Sequence, residues 1–454
     1  MAQAIGGHWC VLTAVCTLMW GVYFIYDLPA SLSTPLQTYL GLSDSKYAYL
    51  VSALYTAYAA PNIFLPFFSG HLLQRFGEKF ALLLTLTSVV LGQLVFVLSF
   101  QTRLQSGMIL GRILFGLGGE VMGVFGTEIT TRWFRDKRLS LALAMNLASW
   151  RLGSVANSIL VPQLAKAHGV VAAGWLGTGL SLGVSILSAF YLVSINDSES
   201  KGASTDEGND EEGTRRNINF LASLSDYPYM FWQLGLICIL GYGSINTFTN
   251  SAQRFLAFTF YGGDQRAAGS ATSIPYILSS VLVPPLGLLL DLPLFNRYPA
   301  SLIITNLLMF FSHLLFLVST DIGPVFPLSL LGIAYALFGV AFWTSLTRCL
   351  LFVARSWSAK SRGIVQSATE RQYGTNVTND GNQDSTDPVI YQEVITFGFG
   401  FMTSLMNLAT GAVPILLAGA ENIAGYMGLE MVFLVLAVLG CLTSVHLAWM
   451  WNGI

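Results

Sequence analysis

The sequence predicts an all-α membrane protein: twelve transmembrane helices in two pseudo-symmetric six-helix bundles. Three observations predict it. Of 454 residues, 54% are hydrophobic and only 10% charged, and the mean hydropathy of +0.61 lies outside what soluble domains show. Walking between polar breaks yields twelve apolar stretches, each near the ~20 residues that a bilayer core about 30 Å thick requires of a helix. A single acidic, non-periodic segment divides them six and six.

The spans fall roughly at 9–31, 47–69, 80–100, 106–129, 139–165 and 171–195, then 228–252, 268–290, 299–319, 323–350, 394–419 and 427–451. The domains follow: an N-terminal bundle over 1–195, an acidic linker over 196–222, and a C-terminal bundle over 223–454 with a polar insert at 356–393. Residues 196–217 carry seven acidic and three basic residues without apolar periodicity, which reads as a disordered linker. Span 1 lacks a basic n-region and a small-residue cleavage site, so it is expected to be retained rather than removed as a signal peptide. Placing both termini in the cytosol puts 14 of the 22 Lys and Arg in cytosolic loops and 5 on the opposite side, with 3 inside spans, as the positive-inside rule asks. On that topology the longest non-cytosolic loop is expected at 253–267. The five cysteines, Cys10, Cys16, Cys238, Cys349 and Cys441, lie in spans without metal-ligand spacing, so no disulfide, metal or cofactor is expected. A net charge of -2 without basic, aromatic-interleaved tracts gives no reason to expect a nucleic-acid partner.

The halves echo each other. "GHLLQRFG" from Gly70 ends span 2, and "GLLLDLPLF" from Gly287 ends span 8. "MNLAS" at 145–149 in span 5 returns as "MNLAT" at 406–410 in span 11. Related bundles joined by a linker suit a rocking transporter with its substrate near the midplane between them. "GHLLQRFGEK" resembles the loop motif G-x-L-x-D-R-x-G-R-K of the major facilitator superfamily, matching at Gly70, Leu72, Arg75, Gly77 and Lys79, with Gln74 in place of the acid and Glu78 in place of an arginine. Asp291 after Gly287 fits the acid of the second-half copy. The resemblance implies the major facilitator fold and a gating role for Gly70, Arg75, Gly77, Gly287 and Asp291.

"YFIYDLPASL" (23–32), "GRILFGLGGE" (111–120), the run from Arg132 to Asn157 and "TFGFGFMTSLMNLATG" (396–411) are similar to the lysosomal dipeptide transporter branch of that superfamily. The branch implies that Glu120, in "GGE", and Arg151, in an R-x-G-S context, take part in binding a dipeptide. It further implies uniport, a lysosomal address and pairing with a glycosylated lysosomal membrane protein as accessory subunit. No acidic dileucine sorting signal stands ahead of span 1.

Four charges lie at membrane depth, and each costs ~2.5 to 3.5 kcal/mol on insertion scales. Spans 4 and 5 are antiparallel neighbours across the turn "TRWFRDKR". At 1.5 Å per residue, Glu120, Arg151 and Arg112 stand about 16, 18 and 28 Å from that turn, and Asp27 about 27 Å from the start of span 1. Two opposite-charge pairs at two levels are therefore expected. On one reading Glu120 holds an ammonium and Arg151 a carboxylate through its guanidinium fork; on the other the two form a permanent salt bridge that fixes the bundle. Asp27 and Arg112 join the candidate binding residues, with Tyr335 and Trp343 as the wall from span 10. Gly111, Gly116, Gly118, Gly119, Gly123 and Gly126 are expected to serve helix packing. Arg348 is expected to snorkel, and His313 and His446 to be lone packed histidines.

The function expected is alternating-access transport of small solutes, dipeptides foremost. Alternatives are an organic-anion or monocarboxylate carrier with Arg151 as sole anchor, and a non-transporting nutrient receptor signalling through the insert. No nucleophile-base constellation or cofactor loop suggests an enzyme.

Overall fold

The structure is a computed structural model that describes residues 7–66, 78–134, 139–203, 227–291, 298–318, 321–373 and 388–451. The gating residues Gly70, Arg75 and Gly77 lie outside the described residues, as do most of the linker and residues 374–387 of the insert.

The described chain is helical with short connections. Ahead of the linker come α1 Gly7–Tyr26, α2 Leu28–Ser31, α3 Ser33–Leu40, α4 Asp44–Asn62, α5 Glu78–Gln101, α6 Gln105–Phe134, α7 Leu139–His168 and α8 Val170–Ala203. After it come α9 Tyr229–Thr259, α10 Gln265–Asp291, α11 Tyr298–Val318, α12 Val325–Tyr373 and α13 Pro388–Trp451. The last is two arms meeting at Ala424 and Gly425, where Gly425 takes a φ of +60° that a side chain would strain. Among the described residues, eight helices are by themselves long and apolar enough to cross a membrane. α4, α7 and α9 are long but more polar, and they are the helices that carry Asp44, Arg151 and Arg254 toward the opposite half. Cavity-lining helices need not be apolar all round.

Apolar burial separates along the chain. One core draws only on residues from Tyr227 to Leu447, while the cores at the other end draw on residues from Val11 to Leu192. Between the two sets, α4 packs on α13, α7 on α10, and α9 on the short helices α2 and α3. Within the first set, α6 lies against both α5 and α4 along glycines. A Cβ on Gly118 would run into the Thr85 carbonyl of α5, and one on Gly116 into the Tyr58 carbonyl of α4. These residues thus do what small residues do in membrane helix interfaces.

Three boundaries differ from the sequence expectation. α8 continues to Ala203, past the expected end of span 6 at 195, and α12 runs on through the start of the insert to Tyr373. α9 continues to Thr259, so the loop expected at 253–267 shrinks to the short turn before α10. A helix with one face against protein persists where a hydropathy window has already ended.

Candidate functional site

The first helix breaks where the site begins. α1 stops at Tyr26, Asp27 precedes α2 as its N-cap, and Pro29 follows in the first turn. Pro29 has no N–H, so the Ile25 carbonyl four residues back loses its helical donor. Arg112 of α6 supplies one: Nη1 donates to the Ile25 carbonyl at 3.4 Å and Nη2 to the Tyr26 carbonyl at 2.8 Å. Asn157 of α7 donates to the Phe24 carbonyl at 2.7 Å. Arg112 is fully buried (0% exposed), ringed by Tyr26, Tyr55, Tyr58, Phe96 and Phe115 at 5.1–5.8 Å. A cation over the carbonyl end of a helix satisfies orphan acceptors and the helix dipole together.

The expected Asp27–Arg112 ion pair is corrected by this arrangement. No salt bridge joins them among the described residues; the guanidinium is taken by backbone. Asp27 stays buried at 4% exposure with Oδ2 unpartnered.

Glu120 and Arg151 do not bridge either. The described ion pairs are Arg254–Asp44, Arg254–Glu421 and His313–Glu430. Glu120 leans away to α4, where Tyr58 Oη donates to its Oε1 at 2.8 Å. Gly119 makes room, since a Cβ there would stand 3.0 Å from that phenol oxygen. Arg151 leans the opposite way, to α12, with its guanidinium carbon 4.1 Å from the centroid of Tyr335 and its Nη2 facing Gly339, where a Cβ would lie 3.0 Å off. The arginine is 4% exposed, and its Nε and Nη1 have no partner. Between them, Tyr23 stacks on Trp150 at 5.3 Å and 18°, and the Trp150 ring rests 3.4 Å from where a Cβ on Gly123 would be.

From the other half, Tyr276 meets Tyr335 edge-on at 6.3 Å. Trp343, farther along α12, donates to Tyr242 Oη at 2.7 Å and stacks on Phe399 at 5.6 Å. The structure thus brings Tyr335 to Arg151, holds Trp343 against Tyr242 and Phe399, and commits the terminal nitrogens of Arg112 to backbone carbonyls. Gly287 lies in α10 and Asp291 ends it. Tyr23, Tyr58, Tyr242 and Tyr276 escape sequence reasoning, because tyrosine in an apolar span signals nothing until its neighbours are known. His313 is not lone: it pairs with Glu430 at 2.7 Å inside the second core. Arg348 is exposed and lies over the Tyr298 ring at 4.5 Å. His446 is not lone either: its Nδ1 is hydrogen-bonded to the Gln233 side-chain amide.

The family model of the Major Facilitator Superfamily matches residues 10–369. The chain belongs to the major facilitator superfamily. It is similar to the lysosomal dipeptide transporter MFSD1 of Bos taurus, 28% identical over 453 residues, covering 97% of this chain and 85% of the relative. The same-named proteins of Homo sapiens and Danio rerio are each 27% identical, covering 96% of this chain and 85% and 86% of theirs. Among solved structures, a mutant of the nucleoside transporter NupG superposes with a TM-score of 0.64 over 98% of this chain and 99% of that one, at 11% identity. That likeness concerns the fold. As a superfamily member this chain is a multi-pass membrane transporter.

Proposed function

We propose that this transporter carries dipeptides by alternating access, as a uniporter, in the lysosomal membrane. The observation that carries the reading is the divergence of Glu120 and Arg151: each is held by a different neighbour, Tyr58 and Tyr335, and neither neutralises the other. A desolvated cation–π contact contributes about 2 kcal/mol. Leaving two guanidinium N–H groups buried without acceptors costs roughly 1–3 kcal/mol each, more for a charged group. Tyr335 therefore does not offset the burial of Arg151, and a ligand carboxylate does. The ligand's ammonium end goes to Glu120, and the tyrosine and tryptophan rings receive its backbone and side chains.

The names of the relatives support the substrate and the lysosomal address; a glycosylated accessory subunit on the non-cytosolic side follows only from the resemblance of the sequence to that branch. Purified protein in liposomes is expected to take up labelled dipeptide down its gradient, with a pH gradient alone driving no accumulation. Glu120→Gln and Arg151→Ala should each lower uptake steeply and together abolish it; normal flux in both would reject the site. The unpartnered Nε and Nη1 of Arg151 also suit a monocarboxylate bound by arginine alone. For that substrate Glu120→Gln leaves uptake intact, which separates the two readings.

A further inference from the structure

The contacts that cross between the two sets of helices gather toward one mouth. At mid-depth, Thr56 Oγ1 donates to the Gly411 carbonyl at 2.6 Å and Ser280 Oγ to the Ala148 carbonyl at 3.4 Å. Beyond the site, on the side expected to be non-cytosolic, α9 zips onto the broken first helix and α4. Asn250 donates to Tyr26 Oη at 3.4 Å, and Gln253 Nε2 to the Ser31 carbonyl at 2.9 Å. Next comes Arg254, which has two partners of different standing. Its Nη1 meets Glu421 Oε1 of α13 at 3.3 Å, and its Nη2 meets Asp44 Oδ1 at the start of α4 at 3.1 Å. Glu421 belongs to the same set of helices as Arg254, and its side chain is 20% exposed, whereas Asp44 belongs to the other set and is 81% exposed. Gln37 donates to the same Asp44 oxygen at 2.8 Å. Tyr47 of α4 lies 5.7 Å from the guanidinium, and Tyr426 of α13 faces all three charges.

We infer that Arg254 is the latch of the non-cytosolic mouth, with Glu421 as its fixed tether and Asp44 as its releasable catch. The inference rests on alternating access alone and not on the identity of the cargo. Opening that mouth moves α4 from α9 and α13, so it breaks Asp44–Arg254 and leaves Glu421–Arg254 whole. Asp44 is already mostly hydrated, so its release is cheap; exposed ion pairs shift an equilibrium by only about two- to fivefold. Arg254 is buried, and stripping it of both partners would leave an uncompensated charge, which is strongly destabilising. The tether removes that penalty in the open state. A catch this weak biases the mouth toward closure without locking it, so the open state stays populated.

The test reads conformation rather than flux. Spin labels replace Thr38 in α3 and Ile423, which is 88% exposed at the bend of α13, in protein whose native cysteines are substituted, and the distance distribution between them is measured in lipid. Asp44→Asn is expected to raise the ratio of wide to narrow separations about two- to fivefold, and Asp44→Lys to raise it further. Raising salt on the parent should reproduce the Asp44→Asn distribution and change the variant little, since exposed pairs are screened. Glu421→Gln should instead lower the melting temperature. Identical distributions in the parent, Asp44→Asn and Asp44→Lys, with melting temperatures unchanged, overturn the latch. A Glu421→Gln variant as stable as Asp44→Asn overturns the division into tether and catch. Absence of dipeptide uptake leaves this experiment untouched, so the two readings fail separately.

Discussion

Arg112 and Arg151 are both intramembrane arginines, both nearly free of solvent, and both pack against tyrosine rings. Both leave Nε without an acceptor, but only one of them leaves a terminal guanidinium nitrogen so as well. Arg112 spends its terminal N–H groups on the carbonyls that Pro29 and the end of α1 leave without donors. Arg151 has a single ring over its guanidinium and two nitrogens without acceptors. Depth and charge do not tell a structural cation from a binding one; the acceptors already in place do. The same contrast separates Glu430, paired with His313 in a core, from Glu120, which has one phenol and an open side.

The comparison breaks or sharpens in five measurements. If Arg151 binds a peptide carboxylate as proposed, Arg151→Ala removes at least two charge-assisted hydrogen bonds, about 4 kcal/mol, so dipeptide uptake should fall more than ~100-fold while the melting temperature holds or rises. Loss of stability without loss of uptake would make Arg151 structural. Arg112→Gln should do the reverse, destabilising by about 3 kcal/mol by orphaning two buried carbonyls, as seen in the melting temperature and in the yield of folded protein. A ligand panel then sharpens the division: dipeptide should raise the melting temperature of the parent and of any folded Arg112→Gln protein, but not that of Arg151→Ala, since only a bound ligand shifts the folding equilibrium. Glu120→Gln keeps shape and the Tyr58 contact but loses the charge, and should weaken peptide binding by about 2 kcal/mol, or ~30-fold. The smallest change is Tyr335→Leu, which removes the cation–π contact of about 2 kcal/mol but keeps an apolar side chain packed against the guanidinium; the net cost should be about 1 kcal/mol, ~5-fold in affinity, without altering which peptides bind.

Much of this site is legible in the chain, for a physical reason. Helical rise is constant, so counting residues from a shared turn puts Glu120 and Arg151 on one level, and the glycines of α6 mark a face that must touch other helices. The count fails for Asp27 and Arg112 because level is not direction. The signal that decides it is Pro29, whose absent N–H advertises a hungry carbonyl at Ile25. Arg254 goes unseen for a related reason. A hydropathy window closes at the polar run from Asn246 to Gln253, whereas the helix continues to Thr259, its polar side chains turned to the first helices of the other half.

By itself the sequence determined an all-helical membrane protein and supplied an expected level for Glu120, Arg151, Asp27 and Arg112, because apolar length and a fixed rise per residue are local properties. Only the tertiary structure decided what each charge meets: carbonyls for Arg112, a phenol for Glu120, a ring for Arg151, and carboxylates from both halves for Arg254. Those partners come from segments tens to hundreds of residues away, and which of them is nearest depends on how the helices pack.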